Sequence, residues 1–149
     1  MIEIVKKPLL GFKMVRLPRA KNFTALCLLE IPKGAKMNRS NIKSRSSSAK
    51  VLAILPAKKH KAKVKVAYSG IYRGFFVREY KVNTIVHPEY PFCNKPAECE
   101  SGIHFCLDKE NPVHHIANNN FDQCEYTHVR YALNKHARTI ARYEKKYNA

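Results

Sequence analysis

Apolar residues along this chain gather in short runs that end at prolines and glycines, a pattern typical of strands. Residues 23–32 form an apolar run of strand length that stops at the turn sequence Pro32-Lys33-Gly34. Residues 49–56 form a second aliphatic run, also closed by a proline. We therefore predict two buried strands in these segments.

The segments between and after these runs are less regular. Residues 37–48 show neither a strand nor a helix period, and we predict a basic loop there. Residues 82–86 and 103–107 predict two further short strands. Three prolines between positions 88 and 96 predict an irregular loop, because proline removes a backbone donor and restricts the preceding residue.

Lysines recur at every second position after the second strand. From Lys61 to Val66 they alternate with small apolar residues, which predicts a strand with a lysine row on one face. Such a row suits a phosphate backbone or an acidic protein surface, but lysines also protect edge strands against pairing with other chains. Both explanations stay open for the candidate binding residues Lys58, Lys59, Lys61, Lys63 and Lys65.

Residues 122–147 carry the clearest helical pattern in the chain. Apolar side chains recur at helical intervals, and a basic set falls roughly opposite them at about 100° per residue. That cationic face is either a binding surface or a solvated one. Its candidate binding residues are Arg130, Arg138, Arg142 and Lys145.

These elements together predict an α+β fold. Residues 1–120 would form a small, β-rich and mostly antiparallel core. A short helix over residues 113–117 would follow the last strand, capped by Asp108. Residues 121–149 would form a long C-terminal amphipathic helix that packs on the core or projects from it.

The charge balance limits the classes of partner that we expect for this protein. The 28 Lys and Arg residues outnumber the 11 Asp and Glu residues, which leaves a net charge of +17. A charge of this size favours nucleic acid, an anionic membrane or an acidic protein surface, although it also promotes solubility without any partner.

Length and termini indicate a single domain made in the cytosol. A chain of 149 residues fits one domain with one core. Its first eleven residues contain Lys6, Lys7 and Pro8 and do not resemble a signal peptide. No stretch approaches the roughly 20 apolar residues of a membrane span.

The cysteines favour reduced thiols over disulfides, because five is an odd number in a chain without an export sequence. Cys93, Cys99, His104 and Cys106 lie close enough in sequence to be considered as zinc ligands. Their spacing differs from that of zinc knuckles, which place two ligands two to four residues apart. We expect no cofactor, and zinc stays an open alternative.

Catalytic patterns are weak. The five glycines do not form a phosphate-binding loop, and no pair of carboxylates has a convincing acid-base arrangement. A Cys-His nucleophile is not specified by any spacing, and His104, between two apolar neighbours, is more typical of a structural histidine. The expectation is a protein that binds, not an enzyme.

Aromatic residues and arginines are interleaved over residues 68–80. Aromatic side chains in this arrangement stack on bases in some proteins that bind single strands. More often, aromatics at alternate strand positions simply fill the core. Both interpretations stay open.

Three blocks of the sequence resemble an uncharacterised family. They are Leu29-Glu30-Ile31-Pro32-Lys33-Gly34-Ala35, the segment from Lys43 to Leu52, and Cys99-Glu100-Ser101-Gly102-Ile103-His104-Phe105. The family is a small domain of giant viruses, iridoviruses and some phages. The resemblance covers residues 23–117, and the family's cysteine in the second block is Ser44 here.

The resemblance implies a viral protein and marks Cys99, Gly102, His104 and Phe105 as structural motif residues. With the charge, it suggests a minor capsid protein of a large DNA virus particle, made in the host cytoplasm and partnered by the major capsid protein or other capsid proteins. A basic packaging protein that binds the genome is the alternative. The strand at residues 102–105 is also faintly similar to a strand of ADP-ribosyltransferases, although no matching catalytic glutamate is apparent.

Overall fold

The computed structural model of the protein describes residues 2–20, 24–41, 43–58, 63–69, 78–97, 100–110, 112 and 130–148. Within them lie ten strands and two C-terminal helices. The strands are β1 (Ile2–Ile4), β2 (Leu9–Val15), β3 (Ala25–Ile31), β4 (Lys36–Asn38), β5 (Ser44–Ser46), β6 (Ala49–Pro56), β7 (Val66–Tyr68), β8 (Glu79–Lys81), β9 (Ile85–Val86) and β10 (Ile103–Phe105).

The central sheet has the strand order β2-β3-β6-β9, and all of its pairs are antiparallel. Strand β3 lies between β2 and β6, and Glu30 is its one residue that is not fully buried. Side chains alternate along a strand, so burial on both faces requires the nearly continuous apolar run of this segment. The predicted strands at residues 23–32 and 49–56 are confirmed as β3 and β6.

Two smaller antiparallel sheets cover one face of the central sheet. The outer sheet has the order β1-β4-β5-β10, and β7 pairs with β8 in a two-stranded sheet. The main core lies between these sheets and the central one, where Cys27 and Leu29 from β3 meet Met37, Phe105 and Tyr80. The backbones of Phe12 and Cys106 also exchange two hydrogen bonds of 2.8 Å, which joins the outer sheet to β2.

The helices cover the opposite face of the central sheet. The first, α1, contains residues 130–135, and the second, α2, is Ala137–Tyr147. Ile140 and Tyr147 pack with Leu26 and Leu28 of β3 in a second core cluster. The side-chain hydroxyl of Tyr147 donates a 2.6 Å hydrogen bond to the carboxylate of Glu30, which fixes the end of α2 to the sheet.

The predicted fold class is wrong about the C-terminal helix. The described residues 130–148 contain two short helices separated by a turn at His136, whose φ and ψ of -104° and 21° are not helical. The Nε2 atom of His136 lies 2.8 Å from the carbonyl oxygen of Pro56. The apolar period continues across this turn, so periodicity alone did not reveal the break.

Two local predictions also need correction. The predicted basic loop at residues 37–48 contains most of β4 and all of β5, whose three residues are buried. The lysine-row strand is wrong for residues 63–65, which precede β7 and form no strand. Residues 59–62, most of the aromatic stretch and the short helix predicted at 113–117 lie outside the described residues.

Candidate polyanion-binding groove

A wide groove of about 1090 Å³ runs between the C-terminal half of β6 and the helices. Its floor is β6 from Leu52 to Pro56, the part of this strand beyond its pairing with β9. Residues 63–65 and the turn at Val82 and Asn83 form one side, and α1 and α2 form the other. We call this the basic groove.

Five basic side chains line the basic groove. They come from two parts of the chain that are about 70 residues apart, so folding creates the cluster. None of the described lining residues is acidic. The five cations are Lys63, Lys65, Lys135, Arg142 and Lys146.

These five side chains are exposed and form no ion pair within the described part of the chain. Two of them make weak contacts: Arg142 lies 3.5 Å from the hydroxyl of Thr139, and the ammonium of Lys146 lies 5.5 Å from the ring centroid of Tyr147. Each charge therefore remains available to an anion from solution. Like charges so close together repel one another, and a bound polyanion removes that cost.

Helix geometry decides which basic residues face the groove. At 100° per residue, Thr139, Arg142 and Lys146 fall within about 60° of one another. The buried Ile140 and Tyr147 lie on the adjacent face against the sheet. Arg138 and Lys145 lie farther around α2, exposed to solvent and outside the groove lining.

A bulge in β6 shapes the groove floor. The register with β3 shifts so that Leu28 pairs with Ala53 and Leu29 with Val51, which leaves Leu52 without a partner residue. Leu52 and Ala53 both line the groove. Bulges bend a strand and redirect its side chains, and they are frequent beside functional sites.

The structure assembles only part of the predicted binding set. Lys63, Lys65 and Arg142 line the groove, whereas Lys58 is exposed elsewhere. Arg130 instead forms a 2.8 Å ion pair with Glu110. Lys59 and Lys61 lie outside the described residues. Sequence reasoning missed Lys135 and Lys146, although the same helical spacing placed them near Arg142.

A second cationic feature is buried and differs from the groove. Arg45 on β5 is fully buried, and its guanidinium donates hydrogen bonds to four backbone carbonyls of the proline-rich loop, which we define as residues 87–97 and 100–102. The Phe92 ring centroid lies 4.8 Å from the guanidinium carbon. The acceptors are the carbonyls of Cys93 at 2.6 Å, Ala97 at 2.8 Å, Ser101 at 3.0 Å, and Lys95.

This arrangement, the Arg45 site, accounts for several motif residues. A Cβ atom added to Gly102 would lie 3.1 Å from the Cβ of Arg45 and 3.2 Å from both Phe92 and the Ser46 carbonyl oxygen. His104 pairs in register with Arg45, and Phe105 is buried against Gly11. Gly102, His104 and Phe105 therefore lie at packing positions around Arg45 and Gly11. Cys99 lies outside the described residues.

Two of the three described thiols, those of Cys27 and Cys106, are poorly suited to catalysis. Burial raises the pKa of Cys106 to about 11 and that of Cys27 to about 12, despite the nearby ammonium of Lys13. Both remain protonated near neutral pH, and the thiol is a weak nucleophile and a weak metal ligand. The described residues contain no group of three or more histidine, cysteine or acidic side chains placed to bind a metal ion.

Comparison with known proteins gives the family. Residues 4–112 match a family of unknown function, DUF5758. The chain belongs to this family. The match begins nearly twenty residues before the resemblance expected from the sequence and so includes β2, and it ends before α1 and α2. No curated protein and no solved structure matches the chain significantly.

The family match divides the groove. The floor of the groove and its lysines at positions 63 and 65 lie within the matched region, whereas the helical side of the groove lies beyond that region.

Neither described helix has the length and apolar character required to cross a membrane.

Proposed function

We propose that this member of the DUF5758 family binds nucleic acid through the basic groove and acts by binding, without catalysing a reaction. The observation that carries the proposal is the convergence of five exposed, unpaired cations around one groove with no acidic residue among its described lining. A solvated charged surface usually mixes both signs, and this groove does not.

Phosphate backbones fit this arrangement physically. Lysine and arginine bind phosphate oxygens and release condensed counterions, which makes the affinity depend on salt. If all five groove cations contact phosphates of a single strand, the slope of log K against log salt is about −3.5. Fewer contacts give a proportionally smaller slope.

A charge-matched pair of double variants tests the proposal. Lys135→Gln with Arg142→Gln removes two groove cations, and Arg138→Gln with Lys145→Gln removes the same residue types from positions on α2 outside the groove. Binding of a fluorescently labelled 15-nucleotide single strand is measured by anisotropy over about 50–300 mM salt. We expect the groove variant to reduce the salt slope by about 1.4 and the control to change it by less than half as much.

Equal slopes for the two variants would contradict a role of the groove, because net charge alone would then explain binding. Absence of binding by the unmodified protein at 50 mM salt would overturn the proposal itself. Circular dichroism of both variants checks that the fold is retained.

A structural role in a large DNA virus particle stays a prediction, supported by the three sequence blocks that resemble a viral family. Ile4 on β1 and Ile85 on β9 are 55% and 59% exposed at sheet edges, where contact with a capsid protein would cover them. A minor capsid protein should occur in purified particles at a fixed ratio to the major capsid protein. Its absence from particles would end this hypothesis.

A further inference from the structure

The floor of the basic groove is apolar, although its rim is cationic. Leu52, Ala53 and Leu55 from β6 lie on the helix side of the floor, and Val64 and Val82 line the groove from the other side, where they pack against the main core. Leu52, Ala53, Val64 and Val82 are only half-buried, so they contact water in the free protein. A ligand that only neutralised the rim would leave this apolar surface in water.

The groove also contains an aromatic side chain. Tyr143 lines it from α2, next to Arg142 in sequence and about one helical turn from Thr139 and Lys146. The ring is half-buried and packs partly against the helix-side core, which restricts its motion. A ring held beside phosphate-binding cations is the combination found where proteins stack the bases of single strands.

Single-stranded and duplex nucleic acids present different chemistry to such a groove. A duplex stacks its bases internally and offers mainly phosphates and sugars to a concave basic surface. A single strand exposes the apolar faces of its bases as well as its phosphates. The apolar floor of the groove complements the base faces of a single strand, and the cationic rim complements its phosphates.

We infer that the basic groove binds a short single-stranded segment, with phosphates at the lysine and arginine rim and a base stacked on Tyr143. This inference rests on the proposed function and specifies the ligand of the same site. It assigns Tyr143 a direct ligand contact that composition and charge did not suggest.

The experiment compares a 15-nucleotide single strand of mixed sequence with a blunt duplex of 15 base pairs, using the full chain at 100 mM salt. We expect the single strand to bind at least about tenfold more tightly. Tyr143→Leu keeps an apolar side chain for packing but removes the aromatic face, and it should weaken single-strand binding about five- to 50-fold. Tyr143→Phe should bind within about twofold of the unmodified protein, and neither substitution should alter duplex binding.

Tyr131→Leu is a matched control, because Tyr131 is 54% exposed on α1 and does not line the groove. Equal binding of single strand and duplex, with no effect of Tyr143→Leu, would overturn the single-strand inference. The proposed function would still hold after that result if the groove double variant still reduced the salt slope more than its control. Absence of binding to both probes would overturn the inference and the proposed function together.

Discussion

The Arg45 site and the basic groove place the same type of charge in opposite surroundings. Arg45 is fully buried, and four carbonyl oxygens accept hydrogen bonds from its guanidinium. The groove cations are exposed and have no acidic partner among the described residues. The first arrangement satisfies its cation within the protein, and the second leaves its cations to be satisfied by a ligand.

This comparison separates stability from binding. A buried charge must be fully hydrogen-bonded, so removing it damages the fold. An exposed cation without a partner contributes little to folding, so removing it affects only what the protein binds. Net charge alone does not distinguish these roles, and the local contacts do.

The largest expected effect is at Arg45. In Arg45→Lys the charge remains, but a single ammonium group cannot reach the four carbonyls that a planar guanidinium reaches. We expect the free energy of unfolding to fall by about 3 kcal/mol, because buried carbonyls lose charged donors. Urea denaturation followed by circular dichroism measures the loss.

Arg39→Lys is the control for Arg45→Lys, since Arg39 forms an exposed 3.0 Å ion pair with Glu3. Its expected cost is about 0–1 kcal/mol. If the two variants were equally stable, the hydrogen bonds of Arg45 would not hold the proline-rich loop as described.

The next effect is at Gly102. In Gly102→Ala the new methyl group would lie 3.1–3.2 Å from atoms of three neighbours, one of them the backbone oxygen of Ser46, which is closer than ordinary van der Waals contact. We expect a loss of about 1–3 kcal/mol in the free energy of unfolding. In Gly34→Ala nothing lies within 4 Å, so only the φ of +92° is unfavourable and the expected cost is about 1 kcal/mol. A larger loss for Gly34→Ala would contradict the packing argument.

The sequence predicted what depends on local pattern. Strands β3 and β6 followed from apolar runs closed by prolines, and the antiparallel, β-rich core followed from their number and spacing. The same approach assigned β5 to a basic loop, because Ser44, Arg45 and Ser46 carry no apolar pattern. The burial of Arg45 depends on carbonyl acceptors about 50 residues away, which no local pattern encodes.

The sequence predicted which types of residue form the candidate site, but not which individual residues line it. Helical periodicity correctly placed Arg142 on an exposed face, but it did not separate the groove-facing side from the outward side that carries Arg138. That separation depends on the turn at His136 and its contact with Pro56, which orient α2 on the sheet. The tertiary fold likewise brings Lys63 and Lys65 to the same groove as α2.

Lys13 provides an intermediate case with a smaller, pH-dependent effect. Its ammonium donates a 2.7 Å hydrogen bond to the His104 carbonyl, and burial lowers the pKa of Lys13 from its ordinary 10.5 to about 8. Between these values the unfolded chain binds more protons than the folded one, so this group makes the free energy of unfolding rise with pH. Protonated Lys13 therefore opposes folding below pH 8.

The test compares the unmodified protein with Lys13→Met at pH 7.5 and pH 9 by urea denaturation. From pH 7.5 to pH 9, the free energy of unfolding of the unmodified protein should rise by about 1 kcal/mol more than that of the variant. The range stops at pH 9 because Cys27 and Cys106, with raised pKa values, have the opposite effect above it. Lys6→Met removes an exposed lysine and serves as the control. An equal trend in both variants would refute the assignment to Lys13.

The smallest effect on stability is expected in the groove, where the effect on binding is greatest. Lys135→Gln with Arg142→Gln removes no described ion pair and relieves repulsion with the neighbouring Lys63, Lys65 and Lys146. The free energy of unfolding should therefore stay within about 0.5 kcal/mol of that of the unmodified protein or rise slightly. A loss above about 1 kcal/mol would mean that these cations support the fold as Arg45 does. The groove would then be a structural feature, because cations held for a ligand are dispensable to the protein that carries them.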